Sequence, residues 1–211
     1  MKIGRIFVFL LISLSFCLAQ DLKFIQLSLA QTDAGKPLMQ ALKLRQSSRN
    51  FDTKPLPLQE LSNLLWAGYG INRPESGKRT APSAMNWQEI DIYVTMQKGA
   101  YMYDAKLNRL LLITEKDVRE ATGKQSFVKD APLNLVYIAD EKRMTNANEE
   151  DRIRWSSADA GFIAQNVYLY CASQGLSVVV RGMVDRETLS KELKLKDYQK
   201  IILAETVGYP K

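Results

Sequence analysis

Helix-period and strand-period segments follow one another along this chain in no regular alternation, which argues for an α+β fold and against a doubly wound parallel sheet. Ile90, Ile92 and Val94 alternate with Asp91, Tyr93 and Thr95. Turns at Lys98-Gly99 and 104–108 then lead into residues 100–103 and 109–113, the pattern of a β-meander. Residues 133–139 are apolar at nearly every position, as a central strand covered on both faces must be. Residues 149–174 form the longest predicted helix, closed by Gly175 at the cap position. Its stretch 156–161 consists of small or short side chains, which let another backbone pack close. Shorter helices are predicted from Leu38 to Arg45, from about Leu58 to Ala67, over 117–122, and from Asp185 through Leu193, with strands at 178–180 and 201–207. Residues 71–89 carry Pro74, Gly77 and Pro82 without periodicity and read as a long loop. The predicted architecture is a central, mostly antiparallel sheet flanked by helices.

Composition narrows the chemistry. The 211 residues are 46% hydrophobic and 25% charged, ordinary values for a globular chain, and they contain no histidine. That absence excludes Ser-His-Asp and Cys-His nucleophile pairs, histidine zinc ligands and a histidine general base. Cysteine is limited to Cys17 and Cys171, too few for an iron–sulfur or Cys-type zinc site, and Cys171 lies in an apolar stretch as a buried core thiol would. Any demanding chemistry therefore falls to a bound cofactor.

Lys2 and Arg5 precede an apolar run, residues 6–18, followed by Ala19 and Gln20. This order is that of a secretory signal peptide cut after Ala19. A run of thirteen residues, interrupted only by Ser13 and Ser15, falls short of the about 20 that a membrane span needs, although a retained anchor is the alternative. A lipoprotein reading through Cys17 is weaker, because bulky Phe16 precedes it. The expected product is exported, periplasmic or secreted, with no stable membrane insertion. Without Lys2 and Arg5 the chain keeps 27 of its 29 basic residues against 23 acidic ones, a surplus of four spread along the sequence, which gives no case for nucleic acid. The resulting division is a signal peptide at 1–19, a flexible lead-in at 20–36 and one domain from 37 to 211.

Four segments carry candidate chemistry. Arg45-Gln46-Ser47-Ser48-Arg49 follows an amphipathic helix, and two forked cations with a hydroxyl between them suit a phosphate; a solvated helix end is the plainer reading. Thr80-Ala81-Pro82-Ser83-Ala84-Met85-Asn86-Trp87-Gln88 offers small residues, amides and an indole that can line a flat heterocycle. Val178-Val179-Val180-Arg181-Gly182 is a strand ending in glycine, where backbone can approach a ligand closely. Thr206-Val207-Gly208-Tyr209-Pro210 is the fourth segment.

Taken in order, with Phe127-Val128-Lys129-Asp130-Ala131-Pro132 before the central strand, these segments resemble the nitroreductase-like FMN-dependent oxidoreductase superfamily from Arg45 to Pro210. Residues 65–73, followed by 79–84, resemble the branch that contains thiazole- and oxazole-forming peptide dehydrogenases. No lysine–tyrosine pair matches that branch's catalytic pair, however. The resemblance implies a homodimer with FMN at a two-fold interface. Arg45, Ser47 and Arg49 would hold the phosphate and ribityl chain, and Pro82, Ser83 and Ala84 would reach the flavin from the partner, with Asn86 nearby. Gln125 would approach the polar edge of the ring, and the backbone of Arg181 and Gly182 would face N5 and O4. Relatives carry a further basic phosphate ligand beyond Gly-Tyr-Pro; either Lys211 takes that role or the two arginines act alone. The short segment 140–151 implies a reduced lid over the substrate.

The implied activity is ping-pong electron transfer to a small organic acceptor such as a nitroaromatic or quinone, with NAD(P)H expected as donor. A flavin-dependent dehydrogenase acting on an organic or peptide substrate is the alternative. A non-catalytic secreted binding module on the same fold is the alternative of another class.

Overall fold

The computed structural model describes residues 23–211, so the signal peptide expected at 1–19 lies outside the described residues. Seven strands form one sheet in which every pairing is antiparallel: β1 (Phe24–Gln26), β4 (Ile90–Met96), β5 (Gly99–Asp104), β6 (Arg109–Thr114), β7 (Leu133–Asp140), β8 (Ser177–Arg181) and β9 (Gln199–Gly208). Their order is β1-β6-β5-β4-β7-β9-β8, and a separate ribbon pairs β2 (Ile71–Arg73) with β3 (Lys78–Arg79). Four helices flank the sheet: α1 (Leu38–Leu44), α2 (Leu58–Tyr69), α3 (Glu149–Gln174) and α4 (Arg186–Glu192). The expected α+β class with its antiparallel sheet is the observed one.

The pleat divides the core in two. Ile90, Ile92 and Val94 of β4, with Leu133, Leu135 and Tyr137 of β7, point to the side covered by Leu64 and Leu65 of α2 and by Ile163 and Val167 of α3. Tyr93, Val136 and Ile138 point the other way, onto Val118, Leu189 and Leu193. Both faces of β7 are therefore covered, which is why its sequence is apolar without alternation.

Helix α3 begins with Asn148, whose side chain accepts a hydrogen bond from the Asp151 N–H at 2.8 Å, and three acidic residues occupy its first turn. It ends where Gly175 turns left-handed at φ 76°.

Three expectations are corrected. The lead-in 20–36 is not a free tether over its described part. Phe24–Gln26 pairs with β6 as an edge strand, Leu27 is buried, and residues 28–36 are strapped over α2 and α3. The Gln31 N–H donates to Asn63 Oδ1 at 2.9 Å, Ser62 donates to the Ser28 carbonyl, and the Lys36 N–H donates to Ser173 Oγ at 2.6 Å. Main-chain bonds rather than a buried apolar stripe hold this segment, so no periodicity announces it. The loop 71–89 likewise contains the β2–β3 ribbon, whose residues Asn72, Arg73, Lys78 and Arg79 offer no apolar alternation. The predicted helix over 117–122 is reduced to a 3-10 turn, Arg119–Thr122.

Candidate cofactor site

Arg45 closes α1, and the extended segment after it runs beside β8, where the Ser48 N–H donates to the Val178 carbonyl at 2.9 Å. This path leaves Arg45 and Arg49 exposed, and neither pairs with a carboxylate among the described residues. The Arg45 guanidinium lies 5.5 Å from the centre of the Tyr168 ring. Tyr168 Oη accepts the Val180 N–H at 2.9 Å and meets Ser47 Oγ at 2.9 Å. One phenol on α3 thus fixes the arginine segment to the end of β8, one residue before Arg181. Lys211 joins the group through its carbonyl, which accepts from Asn50 Nδ2 at 3.1 Å, and Phe51 bridges to Pro210.

The Arg181 side chain does not face solvent. It is 4% exposed, and burial lowers its pKa to about 10 against the supporting charge of Glu205. Its Nε donates to Thr206 Oγ1 at 3.0 Å and its Nη2 to Asn134 Oδ1 at 2.9 Å, while Nη1 reaches the Thr122 carbonyl. The side chain therefore ties the turn leading to Gln125 onto the sheet. Gln125 Oε1 is buried without a hydrogen-bond partner, and the space where a Gly182 β-carbon would stand is open. Tyr168 thus brings Arg45 and Ser47 to the end of β8, where Arg181 and Gly182 follow; Lys211 is held by Asn50, and the Arg181 side chain anchors the turn that precedes Gln125. The donor set fits a phosphate with a flat ring beyond it: unpaired cations and a hydroxyl at one end, an open backbone edge and an orphaned carboxamide at the other.

Pro82, Ser83, Ala84 and Asn86 stand elsewhere. The Ala84 N–H donates to Asp159 Oδ2 at 2.8 Å, and this segment lines its own cavity of about 220 Å³ with Arg73 and Arg79. A separate groove of about 270 Å³ lies beside Gln46, Ser48 and Ser177. Asp159 and Tyr168 are nine residues apart on α3, about 13 Å along the axis and about two and a half turns around it, so the two groups engage opposite faces of that helix.

Sequence reasoning missed Tyr168, Thr122 and Asn134, and it marked the Thr206 segment without giving that hydroxyl a role. Tyr168 sits among Ala164, Val167 and Cys171 in the apolar stripe of α3, and its spacing looks like core. The signal available was chemical, since a buried phenol needs a hydrogen-bond partner.

A seven-stranded antiparallel sheet, a long covering helix and a cationic rim beside the last strands make up an α+β fold with a candidate anion site at its sheet edge. The chain belongs to the nitroreductase family, whose pattern it matches over residues 42–209. It is 32% identical over 169 residues to a nitroreductase-family protein of Methanocaldococcus jannaschii, covering 75% of this chain and 85% of that one. A nitroreductase-family crystal structure from Ralstonia eutropha JMP134 superposes with a TM-score of 0.85 at 44% identity, over 89% of this chain and 90% of that one. The NADPH:FMN oxidoreductase of Vibrio harveyi, complexed with NAD+, shares the fold at TM-score 0.62 and 19% identity, over 82% of this chain and 68% of that one.

Proposed function

We propose that this chain is an FMN-dependent oxidoreductase that carries electrons, in ping-pong order, from a reducing small molecule such as NAD(P)H to a small organic acceptor such as a nitroaromatic or quinone. One observation carries the reading. Arg45 and Arg49 flank Ser47 without a carboxylate partner among the described residues, and Arg45 is held over Tyr168 rather than left free. An exposed guanidinium held in place without an anion, with a second one four residues on, is prepared to take one from solution. Membership of the family, and the FMN named for the Vibrio harveyi structure, support a flavin phosphate as that anion.

Bound FMN supplies reversible electron-transfer chemistry that no side chain of this protein can perform. The residues bind and orient it. Arg45, Ser47 and Arg49, with Lys211 beside them, hold the phosphate end. The open edge at Gly182 admits a flat ring against the backbone, and Gln125 offers its unpartnered carboxamide. The buried Arg181 guanidinium keeps both of these walls at a fixed separation.

The working unit in this reading is a homodimer. Leu38, Met39 and Leu42 on α1, with Ile153 and Phe162 on α3, are exposed apolar side chains on two helices packed together, a surface suited to a partner. The placement of Pro82, Ser83 and Ala84 on the far face of α3 supports their reaching the flavin of the second copy. The composition of residues 1–19 supports export to the periplasm or the medium, with cleavage at about Ala19, which an intact-mass measurement of exported material tests.

Purified protein is expected to be yellow, absorbing near ~450 nm as flavins do, or to take up added FMN and become so. A colourless protein that binds no added FMN overturns the reading and leaves a binding module on this fold.

A further inference from the structure

Two buried carboxyl groups take no part in the contacts assigned to the cofactor. Glu89, just before β4, is 0% exposed, and Asp159 of α3 is 1% exposed. Neither forms an ion pair among the described residues. Both bind the turn between them. Ser83 Oγ donates to Glu89 Oε2 at 3.2 Å and accepts the Gln88 N–H at 2.8 Å, while the Ala84 N–H donates to Asp159 Oδ2 at 2.8 Å. The two carboxyl groups thus hold adjacent residues of one turn, Asp159 disfavouring the charge of Glu89 and Glu89 favouring that of Asp159, and Glu89 Oε1 is buried with no hydrogen-bond partner.

The groups around the pair do not neutralise it. Arg143 spends its Nη2 on the Glu89 carbonyl at 2.6 Å and on Asp91 at 2.7 Å, with Asp140 near its Nε. Arg79, from β3, lies over the Tyr69 ring and donates to the Tyr69 carbonyl and to Gln88. Tyr69, from α2, is neutral, its phenol pushed up by burial, and Arg152 stands two turns before Asp159 on α3. Two adjacent buried carboxylates without a cation cannot both be ionised. A proton on Glu89 Oε1 would remove one of the two charges and turn the orphaned atom into a donor. The turn that the pair binds is strained, since Met85, Asn86 and Gln88 all adopt left-handed backbone at φ 50°, 55° and 48°. Such residues persist only where their surroundings over-determine them.

We propose that Glu89 and Asp159 are a positioning pair sharing one proton, and that this proton locks the Ser83–Ala84 turn in the shape that meets the cofactor. Only the last clause rests on the flavin reading. Burial and the neighbouring Asp159 lift the Glu89 pKa to about 7, so the lock opens across neutral pH.

The test is amide hydrogen exchange of a peptide spanning 83–89, in the full folded chain without flavin, with FMN affinity measured in parallel from pH 6 to pH 8. In the wild type, protection beyond the intrinsic pH dependence is expected to fall about tenfold over that range, and FMN affinity to fall with it. In Glu89→Gln the carboxamide carries no titrating proton, so both quantities should stay level. A wild-type protection profile that is level, or one shared by Glu89→Gln, overturns the shared proton whether or not FMN binds, and the wild-type profile decides even if the variant fails to fold. FMN affinity that ignores a changing protection profile overturns the positioning role. A protein that binds no FMN at any pH defeats the flavin reading instead, and its exchange profile still decides whether the proton locks the turn.

Discussion

A β-carbon on Gly123 would stand 2.0 Å from Nη1 of Arg181, so the glycine exists at that position because the guanidinium does. The backbone of Gly123 is extended, with φ 179°, and any residue could adopt it; space alone excludes a side chain. Arg181 is buried and bonded to Thr122, Asn134 and Thr206 and has nowhere to go. Gly123→Ala is expected to lower unfolding free energy by about 1–3 kcal/mol. Gly182→Ala, whose β-carbon meets nothing within 4 Å, should change it by less than about 0.5 kcal/mol. Urea melts of both variants check the order, and a tolerated Gly123→Ala would show that the guanidinium is no wall.

The cationic rim is tested by two ligands that differ only in a phosphate. Charge-assisted hydrogen bonds contribute roughly 1.5–3 kcal/mol each, so Arg45→Ala or Arg49→Ala should weaken FMN binding by about 10–100-fold. Riboflavin binding should hardly change. Titration at one fixed salt concentration distinguishes this from a damaged fold, which would weaken both ligands alike. FMN affinity that survives both substitutions would return the arginines to the role of a solvated helix end.

Stability should fall as pH rises through neutrality. Glu205 is wholly buried, and burial pushes its pKa up to about 8 despite the Tyr137 hydroxyl and the Arg181 charge, which pull it down. In the unfolded chain a glutamate titrates near ~4.3. Between those values the folded state binds the extra proton, so stability is highest at the acidic end of the interval and is lost towards pH 8, at no more than about 1.4 kcal/mol per pH unit from this group. Glu205→Gln keeps an acceptor for Tyr137 and should lessen the decline between pH 7 and pH 8, leaving the smaller part that Glu89 contributes. Equal slopes in wild type and variant over that interval would assign the decline to other groups.

Cys171 should be chemically silent. Its thiol is fully buried, and burial pushes its pKa well above the ordinary range. Alkylation by iodoacetamide at pH 8 is expected to be on the order of a hundredfold slower in the folded protein than in urea. Comparable rates in both would mean that α3 opens readily from the sheet.

The sheet and α3 were legible in the sequence because burial writes a period. The predicted bounds of the long helix coincide with the observed Glu149–Gln174, since an asparagine cap and a left-handed glycine mark its ends. Phe24–Gln26 and the β2–β3 ribbon left no such trace, because backbone pairing binds them with little side-chain burial. The arginine rim was legible as two forked cations around a hydroxyl. Tyr168, which fixes that rim to β8, was not, because only the fold shows that its hydroxyl meets Ser47 and the Val180 amide. Arg181 was read for its backbone, and its buried side chain proves equally important in joining residues 122, 134 and 206.

The open rims of the sheet are guarded unequally. On one side β1 is three residues long, too short to template another strand. On the other, β8 would offer unpaired main-chain groups to any passing strand, were its Val178 carbonyl not taken by Ser48 and its Val180 amide by the Tyr168 phenol. The segment that bears Arg45 and Arg49 is therefore also a shield against edge-to-edge association. Mutations that loosen it, such as Tyr168→Ala, should expose a sticky strand as well as empty a binding rim, so that lost flavin and visible aggregation arise together from one lesion.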